Sequence, residues 1–162
     1  MKKASAVLLI LMSLIMLASC GKSEENSKGA KVYSFHGENE FMAVSDGVFV
    51  IDTDEDVFYG GNLRIKDESL FDGKKAFTYN TRFYTVTDGQ ENTLMSNSMT
   101  DYTGYVEING DLGKISGGKF IAGAEAENIE EVIGNLFFVM TTVGTDGQQR
   151  QYSMQMDVTE VR

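Results

Sequence analysis

The chain has 162 residues, and its 24 acidic side chains against 14 basic ones give a formal net charge of −10. Such an acidic balance disfavours nucleic acid and anionic lipid as partners and leaves cationic or neutral ones. Because the chain has one cysteine and one histidine, an internal disulfide and a zinc site with several cysteine or histidine ligands are excluded by count.

The N-terminal segment begins with Lys2 and Lys3, continues as an apolar stretch from about Ala6 to Leu17, and ends in Leu17-Ala18-Ser19-Cys20. A basic start, an apolar run and small residues before a break are the parts of a secretory signal. With Cys at the break, the segment resembles the lipobox of bacterial lipoproteins. The resemblance implies a signal peptide over residues 1–19, cleavage before Cys20 and diacylation of the Cys20 sulfur by palmitate-like chains.

Two other interpretations treat Cys20 as incidental: an ordinary signal peptide and a single transmembrane anchor. An uncut anchor needs about 20 apolar residues, whereas this run is shorter and is interrupted by Ser13. We therefore expect an extracytoplasmic protein that is anchored to a membrane through the lipid on Cys20. Gly21, the residue after the cysteine, does not indicate which membrane of the envelope carries the protein, so this point stays open.

Residues 20–31 follow as the lipidated Cys and a flexible tether, since Gly21 to Lys31 is polar, small and charged without apolar periodicity. A flexible segment of this length has a root-mean-square span of roughly 15 to 20 Å. Loss of Lys2 and Lys3 with the signal leaves 12 basic against 24 acidic residues, so the mature net charge is about −12. One folded domain is expected over residues 32–162.

From Val32 onward, short β-rich runs alternate with Asp-Gly or Asn-Gly dipeptides, which supply the positive φ angles of two-residue hairpin turns. Four such dipeptides stand between β-rich runs and predict antiparallel hairpins: Asp46-Gly47, Asp88-Gly89, Asn109-Gly110 and Asp146-Gly147. Helix is sparse, with one short helix predicted at Asn128–Gly134 and a turn at Asp67–Phe71.

Apolar residues alternate strictly with polar ones in the last strand, which predicts one buried face made of Tyr152, Met154, Met156 and Val158. By contrast, residues 48–51 and 136–140 are apolar on both faces and predict central strands. The fold class expected is all-β, an antiparallel β-sandwich of immunoglobulin-like or jelly-roll type, with a lipocalin-like barrel as the alternative. Six phenylalanines occupy core-like positions: Phe41, Phe49, Phe77, Phe83, Phe137 and Phe138.

The segment Ser34-Phe35-His36-Gly37-Glu38-Asn39 opens the mature domain. It resembles a Phe-x-Gly-Glu-Ser/Asn opening of small uncharacterised lipoproteins of Gram-positive bacteria. The resemblance implies a β-sandwich and assigns no functional residue.

The acidic run from Asp52 to Asp56 places carboxylates at alternate positions, as at the start of a calcium loop. In an EF-hand, Gly and Glu follow at the sixth and twelfth positions, where this chain has Val57 and Leu63, so an EF-hand is excluded. A looser calcium site of Asp52, Asp54 and Asp56 stays open, against the simpler interpretation of a solvated, metal-free turn. No other cofactor is expected.

The segment Gly113–Lys119 has the Gly and Gly-Lys spacing of a phosphate-binding loop, but Phe120 stands where Ser or Thr is needed. We therefore interpret it as a glycine-rich strand edge or turn. His36 is the only histidine, so a Ser-His-Asp triad would have to use it, and no nucleophile elbow is present. An exposed strand histidine is the simpler interpretation.

The tyrosines suited to face a ligand are Tyr33, Tyr59, Tyr84, Tyr102 and Tyr105. The simpler interpretation is structural, since Tyr on the exposed face of a strand is also a good strand former. The expected function is a non-catalytic surface binding or interaction module of the envelope, with an envelope protein or a glycan as partner, and no catalytic residue is assigned. The alternative is a small extracytoplasmic hydrolase.

Overall fold

The computed structural model describes residues 30–52, 54–67, 76–100, 110–119, 133–144 and 146–161, with the side chains of Ala76 and Phe77 outside the description. Its bounded elements are β1 (Lys31–Glu38), β2 (Met42–Ile51), β3 (Asp56–Tyr59), β4 (Asn62–Ile65), β5 (Ala76–Thr87), β6 (Gln90–Thr100), β7 (Gly110–Asp111), β8 (Lys114–Ser116), β9 (Leu136–Gly144), β10 (Gln149–Gln155) and β11 (Asp157–Glu160). The expected all-β class is confirmed.

The strands form two antiparallel sheets. The large sheet has seven strands in the order β11-β1-β2-β3-β8, with β4 beside β2 and β7 beside β4. The small sheet has four strands in the order β10-β9-β5-β6. The sheets share one hydrophobic core and are not closed into a barrel, so the arrangement is the sandwich and not the alternative lipocalin-like barrel.

The last strand connects the two sheets at one side of the sandwich. Strand β10 pairs with β9 in the small sheet, β11 pairs with β1 in the large sheet, and only Met156 separates them. The Met156 N–H donates to the Leu136 carbonyl at 2.8 Å. The predicted alternation continues through this bend, since Met154 and Met156 are buried and Val158 packs against the core.

Two of the predicted hairpins are confirmed. Asp88 and Gly89 have φ angles of 52° and 73° and join β5 to β6. The Asp146-Gly147 turn joins β9 to β10, where the Gly144 N–H donates to the Gln148 carbonyl at 3.0 Å. Asp88-Gly89 is the predicted two-residue turn, whereas residues 145–148 separate β9 from β10 and Gly147 alone of that dipeptide has a positive φ, of 73°.

The predicted hairpin at Asp46-Gly47 is wrong, because this dipeptide lies inside β2. Phe35 pairs with Gly47 and Gly37 pairs with Val44, so three steps on β2 match two on β1. Asp46, with φ of 59°, is therefore part of a β-bulge. The bulge bends β2 so that its first half pairs with β4 and its second half with β3.

The turn between β1 and β2 lies instead at Asn39. Its side-chain oxygen accepts from the N–H groups of Phe41 and Met42, each at 2.9 Å. An Asn side chain can close such a turn without Gly, which is why the dipeptide pattern did not identify it. Of the predicted Asn109-Gly110 turn, Asn109 lies outside the described residues, and Gly110 pairs with Leu63 of β4.

Phenylalanines from both sheets fill the core. Phe35 and Phe58 of the large sheet lie with ring centroids 5.1 Å apart, and Phe83 of the small sheet contacts both at 5.6 and 5.1 Å. Phe138 extends the cluster at 4.8 Å from Phe83. All of these rings are at most 1 % exposed.

The predicted core phenylalanines differ in how deeply their side chains are buried. Phe49, Phe83 and Phe138 are buried as expected, whereas Phe41 and Phe137 are only half-buried. The side chain of Phe77 lies outside the described residues. Among the described residues, these rings fill the centre of the core.

Other predicted elements lie largely outside the description. Of the predicted helix Asn128–Gly134, only Ile133 and Gly134 are described, and of the turn Asp67–Phe71 only Asp67 is. Within the described part of the chain, no helix has the length and apolar character needed to cross a membrane.

Candidate ligand-binding face

The residue expected to carry the lipid, Cys20, lies outside the described residues, as do the signal segment over residues 1–19 and most of the tether. The described chain starts at Ala30, one residue before β1. Lipidation of Cys20 therefore stays a prediction from the sequence.

The acidic run holds one buried and two exposed aspartates. Asp52 and Asp54 are exposed, while Asp56 is 2 % exposed. The Lys119 ammonium lies 3.1 Å from Asp56 Oδ1 and also donates to the Asp52 carbonyl oxygen. A protein cation thus lies against the carboxylate of Asp56 and the backbone of Asp52.

Calcium binding at this run stays a prediction. Across the described ranges, which omit Thr53, no group of three or more Asp, Glu, His or Cys side chains is arranged to hold a metal ion. The contacts of Lys119 give the chain its own partner for the carboxylate of Asp56, which a buried charge requires.

Of the two interpretations of the glycine-rich segment, the structure shows a strand, which lies at the edge of the large sheet among the described strands. Strand β8 pairs with β3, and the flanking Gly113, Gly117 and Gly118 have φ angles of 94°, 97° and 96°. The Gly118 carbonyl accepts from the Asp56 N–H at 2.8 Å. The segment therefore serves to bring Lys119 to Asp56.

His36 lies on the outer face of the large sheet, opposite Asp157 of β11. Its Nε2 is 4.0 Å from Asp157 Oδ2, and the two side chains are 68 % and 84 % exposed. An ion pair this open to water contributes about 0 to 1 kcal/mol and creates little local field. The placement fits the interpretation of His36 as an exposed strand residue.

The outer face of the small sheet has a different character. On β5, Thr81, Phe83 and Thr85 are buried, so the alternating residues Asn80 and Arg82 point outward. The register places Asn80 between Ser98 of β6 and Thr141 of β9, with Gln151 of β10 next to Thr141. One row across all four strands therefore carries hydroxyl and amide groups.

This row borders an open groove of about 420 Å³. Val139, only 5 % exposed although it points outward, forms the floor. The polar residues that line it are Asn80, Thr81, Arg82, Ser96, Asn97, Ser98, Thr141 and Gln151. We call Asn80, Ser96, Ser98, Thr141 and Gln151 together with Val139 the polar groove. An apolar floor with a few converging polar groups is typical of small-molecule sites.

Arg82 borders the groove but its charge is partnered. Its guanidinium donates to Glu91 Oε2 at 2.8 Å and lies 4.4 Å from the centroid of the Tyr84 ring. On this face, the charged side chains of the described residues are Arg82 and Glu91. The polar groove is thus electrically neutral on a strongly acidic protein.

An aromatic pair lies beside the groove. Tyr84 and Phe137 stack with centroids 5.4 Å apart and ring planes 18° apart. The register places this pair one outward row beyond Arg82 and Val139. Both rings are half-buried and present apolar edges next to the polar groups.

The structure separates the tyrosines that the sequence suggested as ligand contacts. Tyr84 lies beside the polar groove, while Tyr59 is half-buried on the large sheet. Tyr33 is 2 % exposed and belongs to the core. Tyr102 and Tyr105 lie outside the described residues.

Sequence reasoning missed the polar groove itself. Asn80, Ser96 and Ser98 alternate with inward residues in β5 and β6, and this alternation could have identified one wet face. Which residues of four separate strands meet on that face depends on register, however. The register between distant strands cannot be predicted from any single segment of the sequence.

Comparison with known proteins gives no match: no family model fits the chain, and no curated protein or solved structure is similar to it.

Proposed function

We propose that the chain is a non-catalytic binding module of the cell envelope, anchored outside the cytoplasm by lipid on Cys20, which recognises its ligand in the polar groove. The supporting sequence feature is the lipobox-like Leu17-Ala18-Ser19-Cys20. The observation that carries the binding role is the groove of about 420 Å³ on the outer face of the small sheet.

The packing of the sandwich favours this surface. Among the described residues, the phenylalanine cluster fills the centre of the core, and the groove lies outside it on the small sheet. The groove volume falls within the range of sites that hold small molecules, about 300 to 1,000 Å³. Strands with paired backbones also fix the directions in which their side chains leave the sheet, so binding orders no backbone there.

The anchor and the groove are compatible with each other. The predicted tether precedes β1, which begins at Lys31. Since β1 is in the large sheet and the groove is on the small sheet, the tether joins the domain on the sheet that does not carry the groove.

The anchor is tested by replacing Cys20 with alanine. We expect Cys20→Ala to abolish metabolic labelling by a fatty-acid probe and to leave an uncut or released protein. Labelling and membrane fractionation that survive this change would contradict the anchoring part of the proposal.

The binding role is tested with the full-length chain in detergent and two envelope fractions, one of polysaccharide after protease treatment and one of protein. Ser98→Lys places a long charged side chain in the groove, and Thr159→Lys makes the same kind of change on the exposed part of β11. We expect one fraction to be retained by the wild type and by Thr159→Lys, and to be lost with Ser98→Lys. Retention of neither fraction, or equal retention by Ser98→Lys, would contradict the proposal.

The hydrolase alternative predicts a different dependence. It would use His36, on the large sheet, with Asp157 as the neighbouring carboxylate. A panel of hydrolase substrates tested with the wild type and His36→Ala discriminates the two functions. An activity that disappears with His36→Ala would replace the binding module by an enzyme.

A further inference from the structure

We infer that the ligand of the polar groove is a neutral glycan, bound as a short oligosaccharide segment lying across the strands of the small sheet. This inference rests on the proposed function and specifies the chemistry of its ligand. It is carried by three properties of the groove: its charge, its hydrogen-bonding groups and its apolar surfaces.

Charge disfavours ionic ligands. The mature protein carries about −12, from 12 basic and 24 acidic residues, which repels anionic polysaccharides. The one cation among the described residues that line the groove, the Arg82 guanidinium, is paired with Glu91 at 2.8 Å, which offsets its attraction for an acidic ligand. Carboxylates that would attract a cationic ligand are absent from the lining of the groove.

The hydrogen-bonding groups match those of sugars. Ser96, Ser98 and Thr141 have hydroxyl groups, and Asn80 and Gln151 have amides, so each side chain can both donate and accept. Sugar hydroxyl groups also do both. Asn80 and Gln151 lie on either side of Thr141 in one registered row, and their amides can each engage a pair of neighbouring hydroxyl groups.

A peptide is a poorer fit to the same surface. Peptides usually bind a sheet by pairing with a free backbone edge. In the groove, the β5 and β9 backbones are already paired on both sides within the small sheet. An extended peptide on this face would contact side chains but no unpaired backbone N–H and C=O groups of β5 and β9.

The apolar surfaces suit the carbon-bound hydrogens of a sugar ring. Val139 forms the floor, and the Tyr84 and Phe137 rings lie one outward row away. With strands about 4.8 Å apart, a ligand crossing the four strands covers about 14 Å. This is a length suited to an oligosaccharide and not to a single sugar.

The test uses the full-length chain purified in detergent and an array of neutral oligosaccharides built from hexoses, pentoses and N-acetylhexosamines. Charged counterparts, glucosamine oligosaccharides and glucuronate oligosaccharides, are included. We expect at least one neutral oligosaccharide to bind, with an affinity that does not change between 0.05 and 0.5 M salt, since no ion pair is formed. No binding to any neutral oligosaccharide, or binding only to a charged one, would overturn the inference.

Two variants locate the binding. In Asn80→Ala/Gln151→Ala, the loss of two hydrogen-bonding groups should weaken affinity about 10- to 100-fold. The control Gln90→Ala/Gln148→Ala removes two amides from the exposed hairpin turns and should leave affinity unchanged. Equal weakening in both double variants, or none in the first, would overturn the inference.

The failures of the two proposals are distinguishable. If the array is negative but Ser98→Lys abolishes retention of the envelope protein fraction, the binding module stands and the neutral glycan is wrong. If neither fraction nor any oligosaccharide binds, both are wrong.

Discussion

The space between the sheets and the outer face of the small sheet are built by the same strands with opposite chemistry. On β5, Phe83 is fully buried against Phe58, whereas the adjacent Arg82 and the nearby Asn80 face water beside the polar groove. Alternation along a strand lets one segment serve both regions. The comparison separates stability, which depends on the interior, from recognition, which depends on the outer face.

The outer face of the large sheet differs from both regions. Val32, Val50 and Val57 are paired in one registered row and are half-buried there. Such a row stabilises the sheet through cross-strand contacts. These three valines therefore form an apolar row where the small sheet has the polar row of Asn80, Ser98 and Thr141.

The largest expected effect comes from removing the ring that joins the two sheets. Phe83→Ala should destabilise the fold by about 3 to 5 kcal/mol, because it removes buried contacts and leaves a cavity. Denaturant unfolding measures this change. Phe137→Ala, on the outer side of the same sheet, is the control and should cost clearly less, and equal losses would contradict the separation of the two sides.

The bulge in β2 provides the next test. A Cβ at Gly47 would lie 2.1 Å from the Phe35 ring, so Gly47→Ala should displace that ring and destabilise the fold. Overpacking of this kind costs about 1 to 3 kcal/mol. Gly134→Ala, where the added atom meets nothing within 4 Å, is the control. Unchanged thermal unfolding of Gly47→Ala would show that the bulge packs differently.

Replacing Lys119 tests how much its ion pair with Asp56 contributes to the stability of the fold. Lys119→Met leaves the carboxylate of Asp56 without its ammonium partner and should cost about 1 to 3 kcal/mol. Lys114→Met changes an exposed lysine on the same edge strand and should stay within about 0.5 kcal/mol of the wild type. If Lys119→Met melts like Lys114→Met, the ion pair contributes nothing to the fold.

A smaller effect is expected at the hairpin between β9 and β10. The Gln148 N–H, at 2.9 Å, and the Arg150 guanidinium lower the pKa of Asp146 below its usual value. A lowered pKa in the folded state stabilises the fold above the unfolded pKa of about 3.9, and the contribution is lost as pH falls through the folded pKa. Between pH 5 and pH 2, Asp146→Asn should therefore lose less stability than the wild type.

Asp46 provides an independent check of the same effect. Hydrogen bonds from Ser45 and Asn62, at 2.8 and 3.2 Å, lower the pKa of this carboxyl. Asp46→Asn should show the same reduced loss on acidification. Acid unfolding curves of both variants that run parallel to the wild type would contradict these assignments.

Much of the fold could be predicted because its patterns are local. The alternation from Tyr152 to Val158 and the Asp88-Gly89 turn each depend on a few neighbouring residues, and both are confirmed. The Asp46-Gly47 prediction failed because the same dipeptide suits a bulge as well as a turn. Pairing of β2 with both β3 and β4 decides between them, and that pairing is long-range.

The candidate site could be predicted less well for the same reason. Asn80, Ser98, Thr141 and Gln151 come from four strands, and only their register brings them into one row. None of the four is distinctive by itself, since hydroxyl and amide residues are common on wet faces. The sequence could indicate a wet face on β5 but not the groove formed across its neighbours.

The central claim, that the outer face of the small sheet binds the ligand, is tested most directly by nuclear magnetic resonance of the side-chain amide groups. The neutral polysaccharide fraction of the envelope, hydrolysed to oligosaccharides, is titrated into the full-length chain in detergent. We predict that the amide signals of Asn80 and Gln151 shift while those of Gln90 and Gln148 do not. Shifts confined to Gln90 and Gln148, or methyl shifts at Val32, Val50 and Val57 without any at Asn80 and Gln151, would contradict the claim.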